Sequence, residues 1–105
     1  MATLTLRFAE RAERQLDDIL AYIAIDNPDA ADSIAAHVEQ ILNHALKFPD
    51  MGRQVFNELP FREVKAYPCR IIYRRTNKIL WVVAVLRVEQ LLRLARRQLH
   101  VSIGG

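Results

Sequence analysis

The chain has 105 residues and a mass of 12.1 kDa, with 51% hydrophobic and 26% charged residues. That is enough for one folding unit spanning residues 1–105, and it excludes long disordered or collagen-like tracts. The formal charge of +3 conceals a division, because residues 1–52 carry four cations against nine acids, net −5, and residues 53–105 carry eleven against three, net +8. The second half therefore seeks a nucleic acid or an acidic protein, unless it is only a solvated surface.

Residues 3–8 alternate, with Leu4, Leu6 and Phe8 on one side and Thr3, Thr5 and Arg7 on the other, which predicts a first strand with one buried face. From Ala9 the period changes. Ala12, Leu16, Ile19, Leu20 and Ile23 recur at helical spacing, with Glu13, Arg14, Asp17 and Asp18 opposite, which predicts an amphipathic helix ending near Ile25. Asn27 can cap the free amides of a second helix that Pro28 opens, and Asp29 and Asp32 favour the positive end of its dipole. Ala31, Ile34, Ala35, Val38, Ile41, Leu42, Ala45 and Leu46 form its apolar face, and Pro49 with Gly52 ends it. So short a linker makes the pair an antiparallel hairpin.

A loop is expected around residues 50–57. Period-two patterns then return as a strand over 61–66 and another in which Cys69, Ile71 and Tyr73 alternate with Arg70, Ile72 and Arg74. Thr76 and Asn77 supply a turn, and the apolar run 79–86 predicts a central strand, far short of the ~20 residues a membrane helix requires. A short basic C-terminal helix is expected over 89–99. The fold class is α+β, in the order β-α-α-β-β-β, with a helix hairpin on a small, mainly antiparallel sheet. Arg7, Glu10 and Arg11 interrupt the place where a secretory signal would be apolar, so a cytoplasmic protein with no membrane contact is expected.

The largest like-charged set is Arg62, Lys65, Arg70, Arg74, Arg75, Lys78 and Arg87. Alternation puts Arg70 and Arg74 on one strand face, where two arginines can hold a phosphate or carboxylate. The competing reading is a charged solvent face that protects an edge strand. Tyr67, beside Pro68 at a bend, is expected to be exposed and available for stacking, whereas Tyr73 and Trp81 read as core residues. Cys69 is the one cysteine, so it reads as a buried structural thiol. His37 and His44 are separated by two helical turns, about 10 Å, too far to share one metal directly, and there is no Cys-x-x-Cys or His-Glu-x-x-His pattern. The chain has three glycines, two of them terminal, and no glycine-rich phosphate loop, so neither a metal nor a small-molecule cofactor is expected.

These residues resemble the RelE/ParE superfamily of type II toxin–antitoxin toxins over nearly the whole chain. ERAERQLDDILAYIAIDNPDAA is similar to the family's first helix and the entry to its second, FPDMGR to the loop that follows, and FREVKAYPCRIIYRR to the paired strands with their signature arginine, here Arg70. Cys69 replaces the usual aromatic before it. The resemblance implies a cognate antitoxin partner and one of two activities. ParE-like members inhibit DNA gyrase by binding, whereas RelE-like members are ribosome-dependent messenger-RNA endonucleases. Metal-free RNA cleavage needs proton-transfer groups as well as cations. The tail LRVEQLLRLARRQLH lacks a tyrosine and carries only His100 near its end, which favours the ParE-like branch. Arg70 would be catalytic only in the nuclease, and a degenerate member that binds antitoxin without toxicity is the third possibility. Arg62, Lys65, Arg70, Arg74, Arg75 and Arg87 are the expected contacts to target or antitoxin.

Overall fold

A computed structural model describes residues 3–56 and 60–88. Its elements run β1 (Thr5–Phe8), α1 (Glu10–Asp26), α2 (Pro28–Lys47), β2 (Arg53–Val55), β3 (Phe61–Ala66), β4 (Cys69–Arg75) and β5 (Ile79–Arg87). The sheet order is β1-β5-β4-β3-β2, with β1 parallel to β5 and every other pair antiparallel. The α+β class and the mainly antiparallel sheet are as the sequence predicts. The expected C-terminal helix over 89–99 and His100 lie outside the described residues.

One strand is additional. The expected loop over 50–57 contains β2, three residues paired with Glu63, Arg62 and Phe61 of β3. Gln54 is exposed and Arg53 largely so, and three residues are too few to display a period. The helix junction follows expectation, since the Asn27 side chain accepts a 3.0 Å hydrogen bond from the Ala30 amide. Such a cap stabilises a helix by about 1 kcal/mol.

The helices cover one face of the sheet. Ala12, Ile19, Val38, Leu42 and Ala45 pack there with Val64, Ala66, Cys69, Ile71, Tyr73, Leu80, Val82 and Val85. Val55, Phe61, Ile72, Val83, Ala84 and Leu86 form a second cluster, flanked by Phe56 and Trp81, on the face turned away from the helices. The strand alternation that separates the clusters breaks once, between Ile72 and Tyr73 of β4 and their partners Ala84 and Val82 of β5. Val83 is the extra residue, a β-bulge, so Val83 and Ala84 both join the second cluster. Just beyond it, the Val85 amide donates to Gln15 Oε1 of α1 at 2.9 Å. All residues of β5 after the bulge are thereby shifted by one position in the pleat.

Candidate partner-binding surface

That shift decides where Arg87 sits. Strict alternation from Trp81 would place Arg87 on the face of Arg70 and Arg74; with the bulge it lies beside Cys69 on the helix side, its guanidinium 5.3 Å from the Tyr22 ring centre. Arg62 also belongs to the helix side, since its cross-strand partner is Tyr73. The seven-cation set of the sequence is therefore not one surface.

Several of these cations are occupied within the fold. Arg62 Nη1 donates to the carbonyls of Gly52 at 2.8 Å and Asp50 at 3.3 Å, and its Nε lies 3.7 Å from the Asp50 carboxylate. The Tyr73 hydroxyl donates to the Pro49 carbonyl at 2.7 Å and accepts from the Gly52 amide at 3.1 Å. Gly52 has no room for a side chain, because a Cβ would lie 2.6 Å from the Tyr73 hydroxyl oxygen and 2.9 Å from the Glu63 carbonyl oxygen. The FPDMGR loop is thus tied to the sheet by one arginine and one tyrosine. Burial pushes the Tyr73 hydroxyl pKa up, against the Gly52 hydrogen bond and the Arg62 charge, which lower it.

On the opposite face, Glu63 organises a second knot. Its side chain is 2% exposed, and its carboxylate lies 3.1 Å from Arg70 Nη1, 3.6 Å from Arg53 Nη2 and 3.9 Å from Lys65 Nζ. Arg70 itself is 18% exposed and also donates from Nε to the Val88 carbonyl at 3.1 Å. The close pair is the one with weight, since Arg53 and Lys65 are 67% and 55% exposed and solvent screens them. Arg70 is a structural cation that fastens β4 to β3 and to the chain after β5. The central place of Glu63 is signalled in the sequence by its being the one acid inside a described strand.

What remains lies at the β4–β5 hairpin end. Arg74 is half-buried, Arg75 and Lys78 are exposed, and among the described residues none of the three has an acid within 4.0 Å. Arg70 and Arg74 share a face as expected, but Arg70 is bonded to Glu63 and Val88, whereas Arg74 has no acid within 4.0 Å among the described residues. Tyr67 is 76% exposed, Tyr73 is fully buried and Trp81 is half-buried against the second cluster. Cys69 is buried, which raises its thiol pKa despite the nearby Arg87, as suits an inert structural thiol. His37 and His44 both line a shallow hollow on α2, and His44 packs against Phe48 with ring centres 5.1 Å apart.

A groove of about 340 Å³ opens at the other edge of the sheet, lined by Ile41, Met51, Arg53, Glu63, Val64 and Lys65. Because β2 pairs only with Phe61, Arg62 and Glu63, the outer edge of β3 has no strand partner at Val64, Lys65 and Ala66 among the described residues. No described helix is long and apolar enough to cross a membrane.

The described residues thus form a helix hairpin on a five-stranded sheet with a tied-down loop and a basic hairpin end. The chain is similar to a solved structure described as the chromosomal ParDE TA system from P. aeruginosa, with a TM-score of 0.68 at 16% identity over 83% of this chain and 98% of that one, a likeness of fold. It is 38% identical over 53 residues to "Putative toxin Y4kP" of Sinorhizobium fredii, a match spanning 50% of this chain and 55% of that protein. The family model for the ParE toxin of the type II toxin–antitoxin system parDE matches residues 6–92. The chain belongs to the ParE toxin family.

Proposed function

We propose that this protein is a cytoplasmic toxin that inhibits DNA gyrase by binding and is neutralised by a cognate antitoxin. The observation that carries the binding reading is the Arg70–Glu63 pair at 3.1 Å. An arginine held by a buried carboxylate and by the Val88 carbonyl has its charge and two of its donors committed, so it is poorly placed to stabilise a developing phosphorane. The described tyrosine nearest in the pattern, Tyr73, has its hydroxyl bonded on both sides within the core, which leaves it unavailable for proton transfer.

Antitoxin capture fits the edge of β3 that has no strand partner among the described residues. An extended antitoxin segment can add a strand beside Val64, Lys65 and Ala66, set an apolar side chain against Ile41 and Met51 and place an acid near Lys65. Arg74 and Arg75 remain available for the target.

Supercoiling and cleavage-complex assays with purified gyrase test the target. Inhibition by the chain, relieved by the antitoxin, is expected; unchanged supercoiling at high molar excess rejects the gyrase reading. Translation-dependent transcript cleavage on induction would instead identify the RelE-like alternative.

A further inference from the structure

The β1–β5–β4 register brings together residues that the sequence places far apart. Arg7 of β1 is the cross-strand partner of Trp81, and Trp81 is the partner of Arg74. Leu6 and Phe8 pack on the helix-side core, so the pleat turns Arg7 to the other face, where Trp81 meets the second cluster. The three residues form one row across three adjacent strands, arginine–tryptophan–arginine, about 10 Å between the outer Cα atoms at the usual strand spacing. Arg75 and Lys78 extend the charge around the hairpin end, and residues 74–82 contain no acid. Arg7 is exposed and, like the other three cations, has no acid within 4.0 Å among the described residues.

We propose that this row, with Arg75 and Lys78, is a site for the phosphate backbone of a polynucleotide. The proposal goes beyond the toxin reading and does not depend on gyrase being the target. Three features favour a nucleic acid over an acidic protein. Three of the four cations are arginines, whose planar forks suit phosphate oxygens. A nucleic-acid strand offers a charge about every 3.4 Å, so a row of this width meets phosphates without a matched side-chain pattern. Trp81 is half-buried against the second cluster, so it adds an aromatic side chain beside the cations and not the apolar pocket that anchors a protein partner. The exposed acids of α1 and α2, on the other side of the molecule, would orient the hairpin end toward a polyanion.

Trp81 is the chain's one tryptophan, so its emission reports on this row directly. Titration of the full chain with a 20-nucleotide single strand and the corresponding duplex is expected to change that emission. With about four phosphates neutralised, affinity should fall on the order of 50-fold for the single strand and 150-fold for the duplex between 50 and 200 mM salt. Arg7→Ala with Arg74→Ala should roughly halve the logarithmic salt slope, by the same dependence on phosphate contacts. Arg7→Lys with Arg74→Lys should retain it, and Lys47→Ala on α2 should leave it unchanged. An unfolding curve for each variant separates lost binding from lost fold. No emission change and no binding at 50 mM salt would overturn the proposal. So would a slope insensitive to the alanine pair, or poly-glutamate binding with the same arginine dependence, which would mark a surface for acidic protein.

Discussion

The middle of the sheet and the β4–β5 hairpin end are both rich in arginine, yet the fold uses the two groups differently. In the middle, Arg62 ties down the helix-to-sheet loop and Arg70 is held between Glu63 and Val88. At the hairpin end, Arg74, Arg75 and Lys78 meet no acid among the described residues. A cation's position in a motif thus says less about its role than does the acid, carbonyl or solvent in front of it. Mutations in the first group should act on stability and those in the second on binding.

The largest effect is expected at Glu63. Glu63→Ala leaves the mostly buried Arg70 guanidinium without its carboxylate and should cost about 3–5 kcal/mol, measured by denaturant unfolding. A loss below about 1 kcal/mol would place Glu63 with the screened surface pairs and erase the contrast between the two regions. Next comes the loop tie. Gly52→Ala forces a methyl against the Tyr73 hydroxyl and the Glu63 carbonyl, and Tyr73→Phe leaves the Gly52 amide and Pro49 carbonyl without the hydroxyl. Each should cost about 1–3 kcal/mol in the same measurement. Combining them should cost less than the sum, because both remove one interaction.

The same hydroxyl sharpens the comparison through pH. Its folded pKa is raised above the ordinary 10.0, chiefly by burial, so the folded state holds its proton more tightly than the unfolded chain. That contribution is fully present below pH 10 and is lost as pH rises through the raised folded value. Unfolding followed from pH 9 to above 10 should show an alkaline loss of stability that shrinks in Tyr73→Phe; an identical pH profile in the variant would remove Tyr73 from this role. The smallest effect is expected at the hairpin end, where Arg75→Ala and Lys78→Ala should each stay within about 0.5 kcal/mol of the parent chain.

Much of the fold was legible because its signals are periodic. Asn27-Pro28 marked the helix junction, and the alternation of Cys69, Ile71 and Tyr73 marked the buried side of β4. Two things were not legible. Strand β2 owes its pairing to β3 and is too short to carry a pattern. The Val83 bulge exists only in the register between β4 and β5, and it, not alternation along β5, sets the face on which Arg87 lies. The site was legible in charge but not in availability. That Arg70 is committed depends on the burial of Glu63, and that Arg7 stands beside Trp81 depends on a parallel pairing across 74 residues of chain.

The most direct test compares Arg70→Ala and Arg74→Ala, two arginines on one face of one strand, in equilibrium denaturant unfolding. The division of the cations between buried ties and the open hairpin end predicts that Arg70→Ala loses about 3–5 kcal/mol, because it takes the close partner from the buried Glu63 carboxylate, while Arg74→Ala stays within about 0.5 kcal/mol. Equal losses in the two variants would contradict it.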